Sequence, residues 1–227
     1  MTVMQTPETL ARATTPHGEV ALRRRGDVIE LIVNGVFAMD SVETASEIAL
    51  ADAAPAGRVL VGGLGLGYTA ARLLDRGATG LDVVELAAPL IAWARAGITP
   101  QLGRVAADPR VTLHAADIAD WIGAHAGPWD AVLLDVDNGP SFLIHDHNAR
   151  VYTRSLLATF LDAVAPGGVL LVWCEERSPA LWATLRELDA DASEIVVPIE
   201  REGRHFDYAL YRARPPVIAE ILLANPS

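Results

Sequence analysis

A single cysteine in 227 residues, Cys174, leaves no partner for an internal disulfide. Its place at the end of the apolar run Val169-Leu170-Leu171-Val172-Trp173 marks it as a buried strand residue. Lysine is absent: all 18 basic residues are arginine, which points to a coding bias and not to a function. Cations are scarce altogether, since 29 acids outweigh them to a formal charge of −11 and a pI near 4.9. A protein that tracks a nucleic-acid backbone needs clustered cations to replace counterions. Nucleic acid is therefore excluded as a partner, and cationic or neutral small molecules fit better. The densest cationic cluster, Arg23-Arg24-Arg25, lies beside a turn and reads as a solvated hairpin tip.

Long apolar runs are missing too. Apolar residues make up 51% and the mean hydropathy is +0.26, yet no segment approaches the roughly 20 uninterrupted apolar residues that a membrane-spanning helix requires. The expectation is a soluble chain with no membrane partner. Met1 to Ala13 lack the basic start and continuous apolar centre of a secretory signal, so a cytoplasmic location is expected. No internal repeat, heptad seam or low-complexity tract is present.

The length suits one α/β domain with a small appendage. From Glu19 to Met39 the chain reads as short strands, Val20–Arg24, Val28–Val33 and Val36–Met39, with Asn34-Gly35 as a hairpin turn. Helical spacing follows from Ser41 to Ala53, with Ser41 as N-cap and Pro55-Ala56-Gly57 as the stop. Beyond Arg58, short β-rich runs alternate with helical stretches. The strands fall at Val59–Val61, Leu81–Glu85, Val111–His114, Ala131–Leu134, Val169–Trp173, Glu194–Pro198 and Tyr208–Arg212. The helical stretches fall at Tyr68–Asp75, Ala87–Ala96, Ile118–Ala124, Ala149–Val164 and Pro179–Asp189. Such alternation predicts a doubly wound, mostly parallel, seven-stranded Rossmann-like sheet, closed at one edge by an antiparallel hairpin, with a small N-terminal β-hairpin appendage. The division is expected at residues 1–56 and 57–227.

In a doubly wound sheet, ligands bind beyond the carboxyl ends of the strands. Four such places carry chemistry. Gly62-Gly63-Leu64-Gly65-Leu66-Gly67 follows a strand and precedes a helix, and glycines at positions 63, 65 and 67 let the backbone turn sharply and approach a ligand. The plain alternative is a tight turn. Glu85 ends the next strand 22 residues beyond Gly63 (85 − 63), near the ~20-residue spacing at which an acid accepts hydrogen bonds from ribose hydroxyls. Asp117, followed by Ile118, either takes a hydrogen bond from an adenine amino group, caps the next helix, or does both. Asp135 and Asp137, in Asp135-Val136-Asp137-Asn138-Gly139-Pro140, end the central strand. They are candidates to bind an amine and remove its proton, or else residues of a capped turn. His145-Asp146-His147 lacks the third histidine of a complete metal geometry, so no metal is expected. Those histidines line the substrate pocket or sit in a lid. Tyr152 and Trp173 are either pocket walls or core.

These residues resemble the spermidine synthase family. The resemblance runs from about Val28 to Trp173 and includes Asn34-Gly35-Val36, the glycine loop, Glu85, Ala116-Asp117-Ile118, Asp135, Val151-Tyr152-Thr153 and Ala165-Pro166-Gly167-Gly168-Val169-Leu170. It implies a class I methyltransferase-like fold with S-adenosylmethionine or its decarboxylated form as co-substrate. It also implies transfer of an aminopropyl or other alkyl group to a small amine, and a homodimer. Gly63, Gly65, Gly67, Glu85, Asp117, Ile118 and Asp135 would hold the donor, and Asp135 with Asp137 would serve catalysis. The chain departs from the family at the loop, where Leu66 replaces the aspartate that holds the aminopropyl amine. It departs again at Ala45-Ser46, which replace a Tyr-His pair, although Glu47 matches that motif's acid. A methyltransferase using intact S-adenosylmethionine, and a nucleoside-binding homologue without catalysis, are the alternatives.

Overall fold

Short apolar runs separated by turn residues, Val20-Ala21-Leu22 and Val28-Ile29-Glu30-Leu31-Ile32-Val33 among them, mark the segment up to Asp40, and the structure builds four strands there. The computed structural model describes residues 6–215 except Ala126, Asp137, Ser141, Phe142, Ala190 and Glu202. Strands β1 (Glu8–Thr15), β2 (Gly18–Arg25), β3 (Val28–Val33) and β4 (Val36–Asp40) pair in sequence order as one antiparallel sheet. The appendage is thus a four-stranded sheet, larger than a hairpin. Its first strand, Glu8-Thr9-Leu10-Ala11-Arg12-Ala13-Thr14-Thr15, has no continuous apolar run to announce it. Asn34 and Gly35 hold φ of 52° and 77°, the left-handed pair that a tight right-twisted hairpin demands.

Helix α1 (Ala45–Asp52) begins four residues later than Ser41. The Ser41 hydroxyl oxygen accepts from the Ile29 amide at 2.9 Å and so serves the small sheet. Asp40 Oδ1 accepts from the amides of Val42 and Glu43, forming the turn that delays the helix.

The remaining chain alternates β5 (Arg58–Gly62), α2 (Tyr68–Asp75), β6 (Gly80–Glu85), α3 (Ala88–Arg95), α4 (Pro100–Ala107), β7 (Val111–Ala115), α5 (Ile118–Ala124) and β8 (Trp129–Leu134). It continues through a 3-10 stretch (Asp146–Tyr152), α6 (Arg154–Asp162), β9 (Val164–Cys174), α7 (Pro179–Leu188), β10 (Ser193–Arg201) and β11 (Arg204–Ala213). The seven strands run in the order β10-β11-β9-β8-β5-β6-β7, with β11 antiparallel to both of its neighbours. Two details differ from the sequence pattern. Thr99 caps an additional helix, α4, by accepting from the Leu102 amide. The helix expected over Ala149–Val164 is divided at Thr153, whose hydroxyl oxygen accepts from the Leu156 amide and starts α6 afresh.

Both faces of the large sheet are buried, as helices on two sides require. Val59, Val61, Leu133 and Leu171 pack with Leu50, Leu73, Ile91 and Leu102 from α1 to α4. Leu60, Val132, Leu134 and Leu170 pack with Ile122, Phe160 and Leu185 from α5 to α7. Val20, Leu22 and Leu31 of the small sheet join the first cluster, so one continuous core ties the small sheet to that face. Among the described residues no helix is long and apolar enough to cross a membrane.

Candidate active site

Strand order reverses between β5 and β8. From β5 the chain moves outward through β6 and β7, then returns to place β8 and β9 on β5's other side. The loops after β5, β6, β7 and β8 consequently open into one cleft. Gly63 is the point of closest approach. Its φ is 95°, and a Cβ there would stand 2.0 Å from the Asp135 carbonyl oxygen, so only glycine fits. The Asp135 amide in turn donates to the Gly62 carbonyl at 2.8 Å.

Every amide of the loop from 63 to 67 is already engaged. Gly63 donates to the Val84 carbonyl at 2.8 Å, and Gly67 to the Leu64 carbonyl at 2.9 Å. Leu64 donates to Glu85 Oε2 at 2.8 Å, and the Gly65 amide also reaches the Glu85 carboxylate. Leu66 donates to Met39 Sδ at 3.3 Å. Glu85 Oε1 accepts from Ala87 at 2.7 Å. Burial pushes the Glu85 pKa up, and the amides around it work in the opposite direction.

Asp117 lines the cleft and also caps α5, accepting from the Ala119 amide at 2.9 Å. Its other oxygen meets Arg150 at 2.7 Å and His147 Nε2 at 3.5 Å. Ile118 and Val136 converge over Gly62, with Cγ1 atoms 3.3 and 3.0 Å from where a Cβ would sit. They form an apolar wall of the cleft. Asp135 lines the cleft and accepts from Thr69 Oγ1 at 2.9 Å. Burial, reinforced by the nearby negative charge of Glu47 and opposed by the Thr69 hydroxyl, raises its pKa to about 7. Asp137 lies outside the described residues.

The small sheet closes the other side of the cleft with Phe37 and Met39 of β4 and with Glu43 and Glu47 at α1. The His17, His147 and His145 rings stand in series, with centroids 5.2 and 5.4 Å apart. His17 and His145 face the cleft. No group of three or more His, Cys, Asp or Glu among the described residues is placed to hold a metal.

Of the residues that the sequence singled out, Gly63, Gly65, Glu85, Asp117, Ile118, Asp135, His145 and Trp173 meet at this cleft. Gly67 does not: it starts α2 with φ of 85° and faces Val105 and Leu102 of α4. Leu66 is buried in the core at 3% exposure. Tyr152 packs in the apolar cluster on the opposite face of the sheet. Thr69, Met39, Glu43 and Glu175 were not anticipated. Glu175 follows β9 directly, so inspection of every strand end would have found it, whereas nothing local marks Met39. Together Glu19, Glu43, Glu47, Glu85, Asp117, Asp135 and Glu175 give the cleft seven carboxylates, and among the described residues no arginine lines it.

No family model matches this sequence, and no curated protein matches it. Solved structures do. A spermidine synthase in complex with the transition-state analogue AdoDATO superposes with a TM-score of 0.75 at 15% identity, covering 90% of this chain and 73% of that one. The spermidine synthase from Thermotoga maritima gives 0.71 at 14% identity, covering 90% and 72%. The fold is spermidine-synthase-like, of the class I methyltransferase type.

Proposed function

We propose that this chain is a transferase that moves an aminopropyl group from decarboxylated S-adenosylmethionine to a small amine. The observation that carries the reading is the charge of the cleft, which among the described residues has seven carboxylates and no lining arginine, beside a glycine loop whose amides are all engaged. A phosphate or an α-carboxylate would meet no free backbone amide in the loop from 63 to 67. A decarboxylated donor, positive at both sulfonium and amine, meets acids throughout. Glu85 would take the ribose, Asp117 the adenine edge, and Ile118 with Val136 the adenine face. Gly63 and Gly65 would let the sugar and chain lie close to the backbone.

A nucleophilic amine must be neutral when it attacks. Asp135, whose pKa is raised to about 7, would take the proton. The new N–C bond forms as the C–S bond breaks, its electron pair goes to sulfur, and neutral methylthioadenosine leaves. Alignment of nitrogen, carbon and sulfur supplies much of the acceleration, and Asp137 remains a proposed second acid. We further propose residues 1–56 as a capping unit on a catalytic unit of 57–227, a homodimer, and a cytoplasmic location.

Leu66 favours a second reading. Buried in the core, it offers the donor's amine no carboxylate from the loop, and a methyltransferase using intact S-adenosylmethionine needs none. Calorimetric titration with the intact donor, the decarboxylated donor and methylthioadenosine separates the two. Tighter binding of the decarboxylated form is expected. Preference for the intact donor moves the assignment to methyl transfer, and binding of none of the three removes both readings.

A further inference from the structure

Thr69 enters the cleft two residues beyond Gly67, the end of the glycine loop. It stands in the first turn of α2, is 4% exposed and lines the cleft. Its hydroxyl donates to Asp135 Oδ2 at 2.9 Å. Because threonine branches at Cβ, χ1 is stiff, and burial of its methyl group holds the hydroxyl in one direction. Among the described residues, Thr69 supplies the side-chain hydrogen bond that fixes how the Asp135 carboxylate presents itself.

We propose that Thr69 is the positioning residue for Asp135: its hydroxyl holds Oδ2 as a permanently hydrogen-bonded oxygen and leaves Oδ1 as the oxygen that takes the proton from the acceptor amine. The inference rests on the reading that Asp135 is the base. A donor hydrogen on Oδ2 makes that oxygen the poorer proton acceptor of the two. The proton that leaves the amine nitrogen therefore goes to Oδ1, while the electron pair that held it stays on nitrogen as the new N–C bond is completed.

The same contact balances the charges around Asp135. Glu47, from α1, acts directly to favour protonation, and the Thr69 hydroxyl favours ionisation. Glu43, Glu85, Asp117 and Glu175 also face the cleft and add negative potential, and burial, opposed by the Ser41 hydroxyl and reinforced by Asp40 and Glu47, pushes the Tyr68 phenol further up. Thr69 is the donor that keeps enough of Asp135 ionised at neutral pH to work as a base.

The test is a 13C carboxyl NMR titration of Asp135 in the full chain and in Thr69→Val, Thr69→Ser and Glu47→Gln. Removing the hydroxyl in Thr69→Val is expected to move the midpoint up by about one pH unit, Thr69→Ser to return it most of the way, and Glu47→Gln to move it down. In parallel, the acid limb of kcat/KM for aminopropyl transfer should follow the midpoint while KM for the donor holds. An unmoved midpoint in Thr69→Val overturns the inference, and so does a midpoint in Thr69→Ser that matches Thr69→Val. Should Thr69→Val fail to fold, Thr69→Ala, which also lacks the hydroxyl, takes its place with the same expected rise and the same overturning result. A midpoint that moves as expected in a protein that transfers nothing supports the positioning contact and removes the aminopropyl reading, so the two failures are distinct.

Discussion

The amide of Leu64 donates to Glu85 Oε2 across 2.8 Å, which makes the loop after β5 and the acid after β6 one structural unit. Glu85 also holds the Ala87 amide at 2.7 Å. Replacing it by alanine leaves buried donors without acceptors, at about 1–3 kcal/mol each. Urea unfolding of Glu85→Ala should show a loss larger than that of a single donor, about 3 kcal/mol or more, and calorimetry a drop in methylthioadenosine affinity of about tenfold or more, roughly 1.4 kcal/mol.

Leu66 invites the opposite change. The resemblance to spermidine synthases suggests restoring an aspartate there, but the side chain is buried among core residues and does not line the cleft. Leu66→Asp should therefore destabilise the protein by about 3 kcal/mol or more, through an unpaired buried charge and lost apolar contact. Affinity for the decarboxylated donor should not rise. Thermal melts beside titrations test both statements.

Asp135 makes stability fall with rising pH. Its carboxyl titrates near 3.8 when unperturbed and at about 7 in the folded protein, so between those values the folded state binds more protons than the unfolded state. The raised pKa contributes stability that is present in full below about pH 4 and is lost as pH rises through about 7. Asp135→Asn removes this term. Its melting temperature should exceed that of the parent at pH 8 and gain less at pH 5, while turnover is lost at both.

Asp117 joins a cap to an ion pair, and two variants separate them. Asparagine caps helices about as well as aspartate, whereas alanine costs about 1 kcal/mol. Asp117→Asn should keep nearly full stability despite the weakened Arg150 contact, because that pair is partly exposed. Both variants should bind adenosine and inosine analogues with more nearly equal affinity, compared by competition against methylthioadenosine.

Much of this molecule is written locally. Val59–Val61 and Ala131–Leu134 are apolar on successive residues, which only a strand covered on both faces tolerates. A glycine run after one strand and an acid after the next mark the switch point of such a sheet. Gly63 is legible for a further reason: its left-handed φ and the Asp135 carbonyl 2.0 Å from a would-be Cβ admit no other residue. Asn34-Gly35 is legible as a turn because few residue pairs accept two positive φ values. The acidic balance of the chain foretold the acidic cleft.

Local pattern ends where partners come from distant segments. Gly67 and Leu66 read as loop residues, yet they belong to the packing of α2 on α4 and to the core, because a helix that starts inside a glycine run turns part of the run away from the ligand. Tyr152 reads as either pocket wall or core, and only its place in the apolar cluster on the far face of the sheet decides for core. Thr69 meets Asp135 across 66 positions of sequence, and Met39 reaches the Leu66 amide from the other sheet. The sequence by itself determined the strands from β2 onward, the switch point and the acids that end the strands, since periodicity and backbone sterics act over a few residues. Which oxygen is held, which amide is spent and which side chain faces the cleft were decided only when the small sheet and the large one closed on each other, because hydrogen bonds and burial are set by distance in space.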